Sequence, residues 1–88
     1  MGCYTDNVNR VMPDAMQTTE ALLNTGCASF CRGYQYFGTE FGDQCYCANA
    51  PSLQPAPAWN CINHCNGATS TSEVCGGFFY LSVWKRNS

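Results

Sequence analysis

Eight thiols, spaced as Cys3, Cys27-x3-Cys31, Cys45-x-Cys47, Cys61-x3-Cys65 and Cys75, are the side chains of this chain that carry the most chemistry. Two fates compete for them, zinc ligation and oxidation to disulfides. Zinc sites usually open with C-x2-C or C-x4-C and close with a similar pair or with histidines, whereas this chain has x3, x1 and x3 spacings and one histidine, His64. Eight is an even number, about nine per cent of 88 residues, and a chain this short buries too little apolar surface to be comfortably stable alone. The cysteines therefore read as a disulfide framework with no free thiol and no metal. They place the chain in an oxidising compartment, secreted or at a cell surface or cell wall.

Other reactive groups are sparse. Glu40 and Asp43 lie three apart and resemble in type the carboxylate pair of a glycosidase, but such a pair needs a deep cleft that 88 heavily stapled residues scarcely provide. His64 has no thiol left to activate. The expectation is a protein without catalytic residues or cofactor. Only Arg10, Arg32, Lys85 and Arg86 are basic against six acids, so nucleic acid, anionic membrane and heparin-like polyanions are poor partners. What abounds is neutral: twelve Asn and Gln, five Tyr and two Trp. Flat rings suit the C–H faces of sugars, and planar amides suit their hydroxyl pairs.

The elements that must position these groups can be read from cysteine spacing. Cys27 and Cys31 fall on one face of a helix about 6 Å apart along its axis, and Cys45 and Cys47 on one face of a strand about 6.6 Å apart. The matching rises suggest a helix riveted to a sheet by two rungs. That ladder leaves both its senses open, with three ways of pairing the other four cysteines. The helix is short, with Asn24 or Thr25 as cap and Gly33 as stop. Tyr34 to Gly38, Gln44 to Ala48 and Phe78 to Trp84 read as strands. Pro51, Pro55 and Pro57 make a loop before Trp59, and 62 to 77 are mostly turns. No apolar run approaches a membrane span, and no signal-peptide core is present. Length allows one domain, 2–86, with Met1 read as an added start on a module cut from a longer secreted protein.

Several stretches together resemble a known family. Gly2-Cys3-Tyr4-Thr5-Asp6, Cys27-Ala28-Ser29-Phe30-Cys31, Tyr36-Phe37-Gly38-Thr39-Glu40-Phe41-Gly42, Cys45-Tyr46-Cys47-Ala48-Asn49, Cys75-Gly76-Gly77 and Leu81-Ser82-Val83-Trp84 are similar to the corresponding segments of WSC domains. These are the cysteine-rich modules of fungal cell-wall sensors, of some secreted fungal carbohydrate-active enzymes and of animal Kremen proteins. The resemblance implies an α+β, disulfide-rich PAN/apple-like fold, an antiparallel sheet with one short helix packed on one face. It implies the pairing Cys3–Cys61, Cys27–Cys45, Cys31–Cys47 and Cys65–Cys75. It also implies binding of neutral wall polysaccharide such as β-glucan, chitin or xylan by a monomeric module fused to others or to a catalytic domain. Protein recognition or wall mechanosensing is the alternative, as in animal relatives. The chain departs from the family at Asn24-Thr25-Gly26, which would delay the helix start, at Trp59-Asn60 and at Phe78-Phe79-Tyr80, which add rings.

A sheet with a helix on one face has its other face available. With Cys45 and Cys47 aimed at the helix, Gln44 and Tyr46 point away from it. Taking Phe79, Leu81 and Val83 as the helix-side apolar set of the last strand puts Phe78, Tyr80 and Trp84 on the same helix-distal side. Trp59 leans in from the Pro-rich loop. The expected binding residues are thus Tyr46, Trp59, Tyr80 and Trp84, with Gln44 and Asn49 at the rim. The competing reading is that such rings pack under loops as a second small core.

Overall fold

The computed structural model describes residues 2–70 and 72–86. Met1, to which an added start was assigned, lies outside the described residues. Five strands, β1 (Gly2–Thr5), β2 (Ala15–Thr18), β3 (Tyr36–Glu40), β4 (Gln44–Ala48) and β5 (Tyr80–Lys85), form one antiparallel sheet in the order β1-β5-β3-β4-β2. The helix α1 (Asn24–Phe30) packs on β3 and β4, and a single 3-10 turn spans Ala58–Asn60. No helix among the described residues is long and apolar enough to cross a membrane.

All four disulfides join the expected partners, Cys3–Cys61, Cys27–Cys45, Cys31–Cys47 and Cys65–Cys75. The two rungs between α1 and β4 run in one sense, the earlier cysteine of the helix to the earlier cysteine of the strand. Their sulfurs, with Leu22, Cys65 and Cys75, fill the space between helix and sheet. Cys27, Cys31 and Cys45 bring their sulfurs within 4.8 Å of one another, but each is oxidised, and metal ligation needs thiolates.

The helix starts at Asn24 rather than late, and no side chain caps it from within. Leu23 holds the cap position, while the Glu73 carboxylate accepts the Asn24 N–H at 2.9 Å. The Asn24 amide turns to the sheet instead: its Oδ1 accepts the Thr39 hydroxyl at 2.8 Å and its Nδ2 donates to the Val74 carbonyl at 2.9 Å. A helix of 7 residues has too few internal bonds to stand alone, so these contacts and the two bridges hold it. Gly33 takes φ 97° just past its end, the left-handed stop expected of it.

The helix-distal face is not open. Registers place Tyr36, Gly38 and Glu40 of β3 beside Ala48, Tyr46 and Gln44 of β4 and beside Lys85, Val83 and Leu81 of β5. There Met12, Tyr46, Ala48, Leu81 and Val83 form a second core, flanked by Tyr4, Val11, Tyr36 and Leu53. The segments before β2 and after β4 supply its cover. Gly38 is where the cover comes closest, since a Cβ there would meet the Met12 sulfur at 3.1 Å and Leu81 at 3.3 Å.

This corrects the expected placement of two rings and the expected exposure of a third. Leu81 and Val83 do form the apolar set of β5, but they face away from the helix. Trp84 and Tyr80 therefore lie on the helix side, where Trp84 stacks on its cross-strand neighbour Phe37 at 5.5 Å and 10°. Tyr46 is on the distal face as expected, but it is 2% exposed. The cause is that cystine already fills the helix–sheet gap, so the aliphatic side chains are sent to the other side and need a lid of loop.

Candidate functional site

Large apolar side chains stand in water at one end of the sheet, where β3 ends and β4 and β5 begin. Phe78 is 68% exposed and Phe41 48%. Their rings meet edge to face at 5.7 Å, and Phe78 meets Phe79 in the same manner at 4.8 Å, the geometry aromatic quadrupoles favour. Trp59, at 73%, and Ile62, at 66%, come from the segment that runs alongside. Asn63 exchanges backbone hydrogen bonds with Gly76 and Cys75 at 2.9 and 2.8 Å. A Cβ on Gly77 would lie 1.9 Å from the Asn60 carbonyl oxygen, so only glycine lets the Trp59 and Phe78 segments approach this closely.

Beneath the rings lies a charged cluster. The Arg10 guanidinium donates to Asp6 at 3.0 Å and to Glu40 at 3.2 Å, and sits over the Tyr46 and Phe79 rings at 5.4 and 5.3 Å. Asp6 also accepts the Val11 N–H at 2.8 Å, so the structural role favoured for Asp-type turns holds it in place. The Tyr46 hydroxyl donates to Gln44 Oε1 at 2.8 Å. Thus the buried ring orients the half-exposed amide above it. Arg10, Phe41 and Phe79 have φ of 65°, 54° and 60°. Bulky residues rarely adopt this left-handed region, and strain of this type gathers where the surrounding structure dictates a side chain's aim.

Burial, and then the neighbouring Asp6 carboxylate, push Glu40 up to about 9 against the pull of Arg10. Burial also works to raise Asp6, but hydrogen bonds from Glu40, the Val11 and Asn7 backbone and Arg10 outweigh it and hold Asp6 below its usual value. Glu40 keeps a proton in the fold that the unfolded chain releases above about 4.5. Its contribution to stability is therefore complete below that pH and is lost as pH rises towards 9, while the contribution of Asp6 is lost only in acid, below 3.8. The thermal midpoint is expected to fall steadily from mildly acid to alkaline pH, and Glu40→Gln should flatten that slope. A wild-type midpoint that rises across this window would overturn the assignment.

The six residues expected to bind sugar are not brought together. Gln44 belongs to the exposed end and Tyr46 supports it from below, Trp59 is exposed on the segment whose Asn60 abuts Gly77, and Tyr80 and Trp84 are half-buried on the opposite face. Asn49 is exposed at the far end of β4, where its Oδ1 accepts the Gln35 N–H at 3.0 Å. Phe41 and Arg10 were missed. Phe41 follows a strand and precedes Gly42, which is the one signal that it stands at a turn with its ring outward. Glu40, one of the two carboxylates weighed and set aside as a glycosidase pair, is 2% exposed and engaged by Arg10.

With this geometry in place, the comparisons with known proteins are specific. The model of the WSC domain family matches residues 1–77. A WSC domain-containing protein of Arthroderma benhamiae is 37% identical over 96% of this chain and 12% of its own length. Kremen protein 2 of Mus musculus is 32% identical over 97% of this chain and 19% of its own length. Xylosyltransferase oxt of Drosophila melanogaster is 26% identical over 97% of this chain and 10% of its own. The chain belongs to the WSC domain family. It spans only a small part of these curated relatives.

Proposed function

We propose that the domain is a non-catalytic, extracellular binding module for neutral cell-wall polysaccharide such as β-glucan, chitin or xylan. The observation that carries this reading is the exposed, mutually braced Phe41–Phe78 pair with the Gln44 amide at its edge; Trp59 is exposed on the neighbouring segment, whose Asn60 abuts Gly77. Rings that hold one orientation without a ligand lose little freedom on binding. Gln44 and Trp59 thus keep the roles first expected of them, and Phe41 and Phe78 take the places assigned to Tyr80 and Trp84. Tyr46 acts from beneath by holding Gln44. The charges of Arg10 and Asp6 are spent on one another and Glu40 keeps its proton, which favours an uncharged ligand.

Retention of the domain on insoluble glucan, chitin, xylan and mannan, without release of reducing sugar, is the direct test. Phe78→Ala and Trp59→Ala should each weaken binding by about 1 kcal/mol, roughly fivefold, with thermal midpoints near that of the parent because both side chains are already in water. Added salt should change little, since no ion pair with ligand is involved. Failure to bind all four polymers would remove the reading and turn attention to a protein partner for the same rings.

A further inference from the structure

A groove of about 630 Å³ lies on the helix-distal side, between the segment that precedes β2 and the segment that follows β4. Its size falls in the range of ligand sites. Asn7, Asp14, Asn49, Ser52 and Gln54 are among its lining residues, and no aromatic ring is. Its walls are tied down by backbone bonds: Thr5 N–H to the Gln54 carbonyl, Ala56 N–H to Cys3, Asp14 N–H to Cys47, at 2.9 to 3.1 Å. Asp14 Oδ2 accepts the Asn49 N–H at 3.1 Å, which ties one wall directly to the other.

Arg10 lines this groove and also the small cleft of about 130 Å³ under Phe41, Phe78 and Gln44. The two concavities therefore share a wall and follow one another along β4, from Gln44 at one end to Ala48 and Asn49 at the other. Four strand steps cover about 13 Å, longer than a single sugar ring. Rings dominate one end and amides, hydroxyls and a carboxylate the other. The Arg10 contacts to Asp6 and Glu40 restrain the guanidinium between them.

Resting on the carbohydrate reading, we propose that the groove continues the aromatic face as a row of polar subsites, so that the ligand is an internal stretch of a linear neutral polysaccharide, one end stacked on Phe41 and Phe78 and the rest hydrogen-bonded along the groove. A lone sugar or a chain terminus would fill only the aromatic end.

The test uses laminari-, chito- and xylo-oligosaccharides as disaccharides and hexasaccharides, titrated into the 88-residue chain and followed by calorimetry and amide chemical shifts. For the series that binds, the hexasaccharide should bind about tenfold more tightly than the disaccharide, as a few added hydrogen bonds allow. It should also move the amides of Asn7, Ser52 and Gln54 as well as those around Phe41 and Phe78. The double variant Ser52→Ala, Gln54→Ala, whose side chains are exposed, should abolish most of that length gain. Equal affinity for both lengths, with shifts confined to the aromatic end, overturns the groove proposal alone. No binding by any series overturns the carbohydrate reading and the groove with it.

Discussion

A chain shortened to end at Gly77 is expected to lose the fold altogether. The family match stops at residue 77, yet β5 lies between β1 and β3 in the sheet and pairs with both. Leu81 and Val83 are 0% and 1% exposed, and losing either buried aliphatic side chain costs about 2–5 kcal/mol. A domain of this size has roughly 5–15 kcal/mol in all. The shortened chain would also bare the inner edges of β1 and β3, an invitation to aggregate. Arg86 adds a clasp, donating to the carbonyls of Tyr34 and Ala28, while its N–H donates to Gln35. Circular dichroism and amide dispersion of residues 1–77 would settle the matter. A dispersed spectrum with the four native bridges would show that the domain ends before β5, contrary to the 2–86 extent proposed for it.

Reduction should be as damaging. In the chain-entropy picture a bridge closing 58 residues stabilises by about 4 kcal/mol, and those closing 18, 16 and 10 by about 3 kcal/mol each. Even allowing for overlap between loops, the bridges rival the whole net stability. Attack should begin at Cys3–Cys61, because Cys3 is 9% and Cys61 6% exposed, whereas Cys27, Cys31, Cys45 and Cys47 are closed to solvent. The most accessible bridge is thus the one closing the longest loop. Alkylation and mass mapping over a reductant series should find Cys3 and Cys61 labelled first, with loss of tertiary signal following closely. First labelling at the α1–β4 rungs would contradict this order.

The ladder of α1 on β4 was legible because two periodicities, four residues on a helix and two on a strand, give nearly the same rise, and its sense followed from family resemblance. Strand β4 was read to the residue, while β3 and β5 were shifted by about two residues. Strands β1 and β2 were not read as strands: Gly-Cys-Tyr-Thr and Ala-Met-Gln-Thr are too short to show alternation, and as the two edges they exist through pairing with β5 and β4. The apolar set of β5 was recognised, but its direction was inferred as if the helix side needed aliphatic filling. Sulfur fills that side, and no periodicity distinguishes the two outcomes. The left-handed backbone of Phe41 and Phe79, which aims the exposed rings, arises from tertiary constraints that local sequence does not carry.

The pairing of Gly2 with Val83 bears on how the domain meets a pull. Because β1 and β5 run antiparallel, the chain enters at Gly2 and leaves after Lys85 at the same pole, away from the pole where Phe41 and Phe78 stand. Spliced into a longer polypeptide, the module hangs as a pendant from two neighbouring tethers with its rings facing outward. Tension across those tethers loads the first hydrogen bonds of β1 and β5 one at a time, as in an unzipping, the geometry in which paired strands resist least. The tear meets Cys3 one residue in, and the bond to Cys61 diverts the load into the loop around the 3-10 turn. A disulfide placed there is a rip-stop, and it sits at the only strand a tug on the N-terminal tether would peel first.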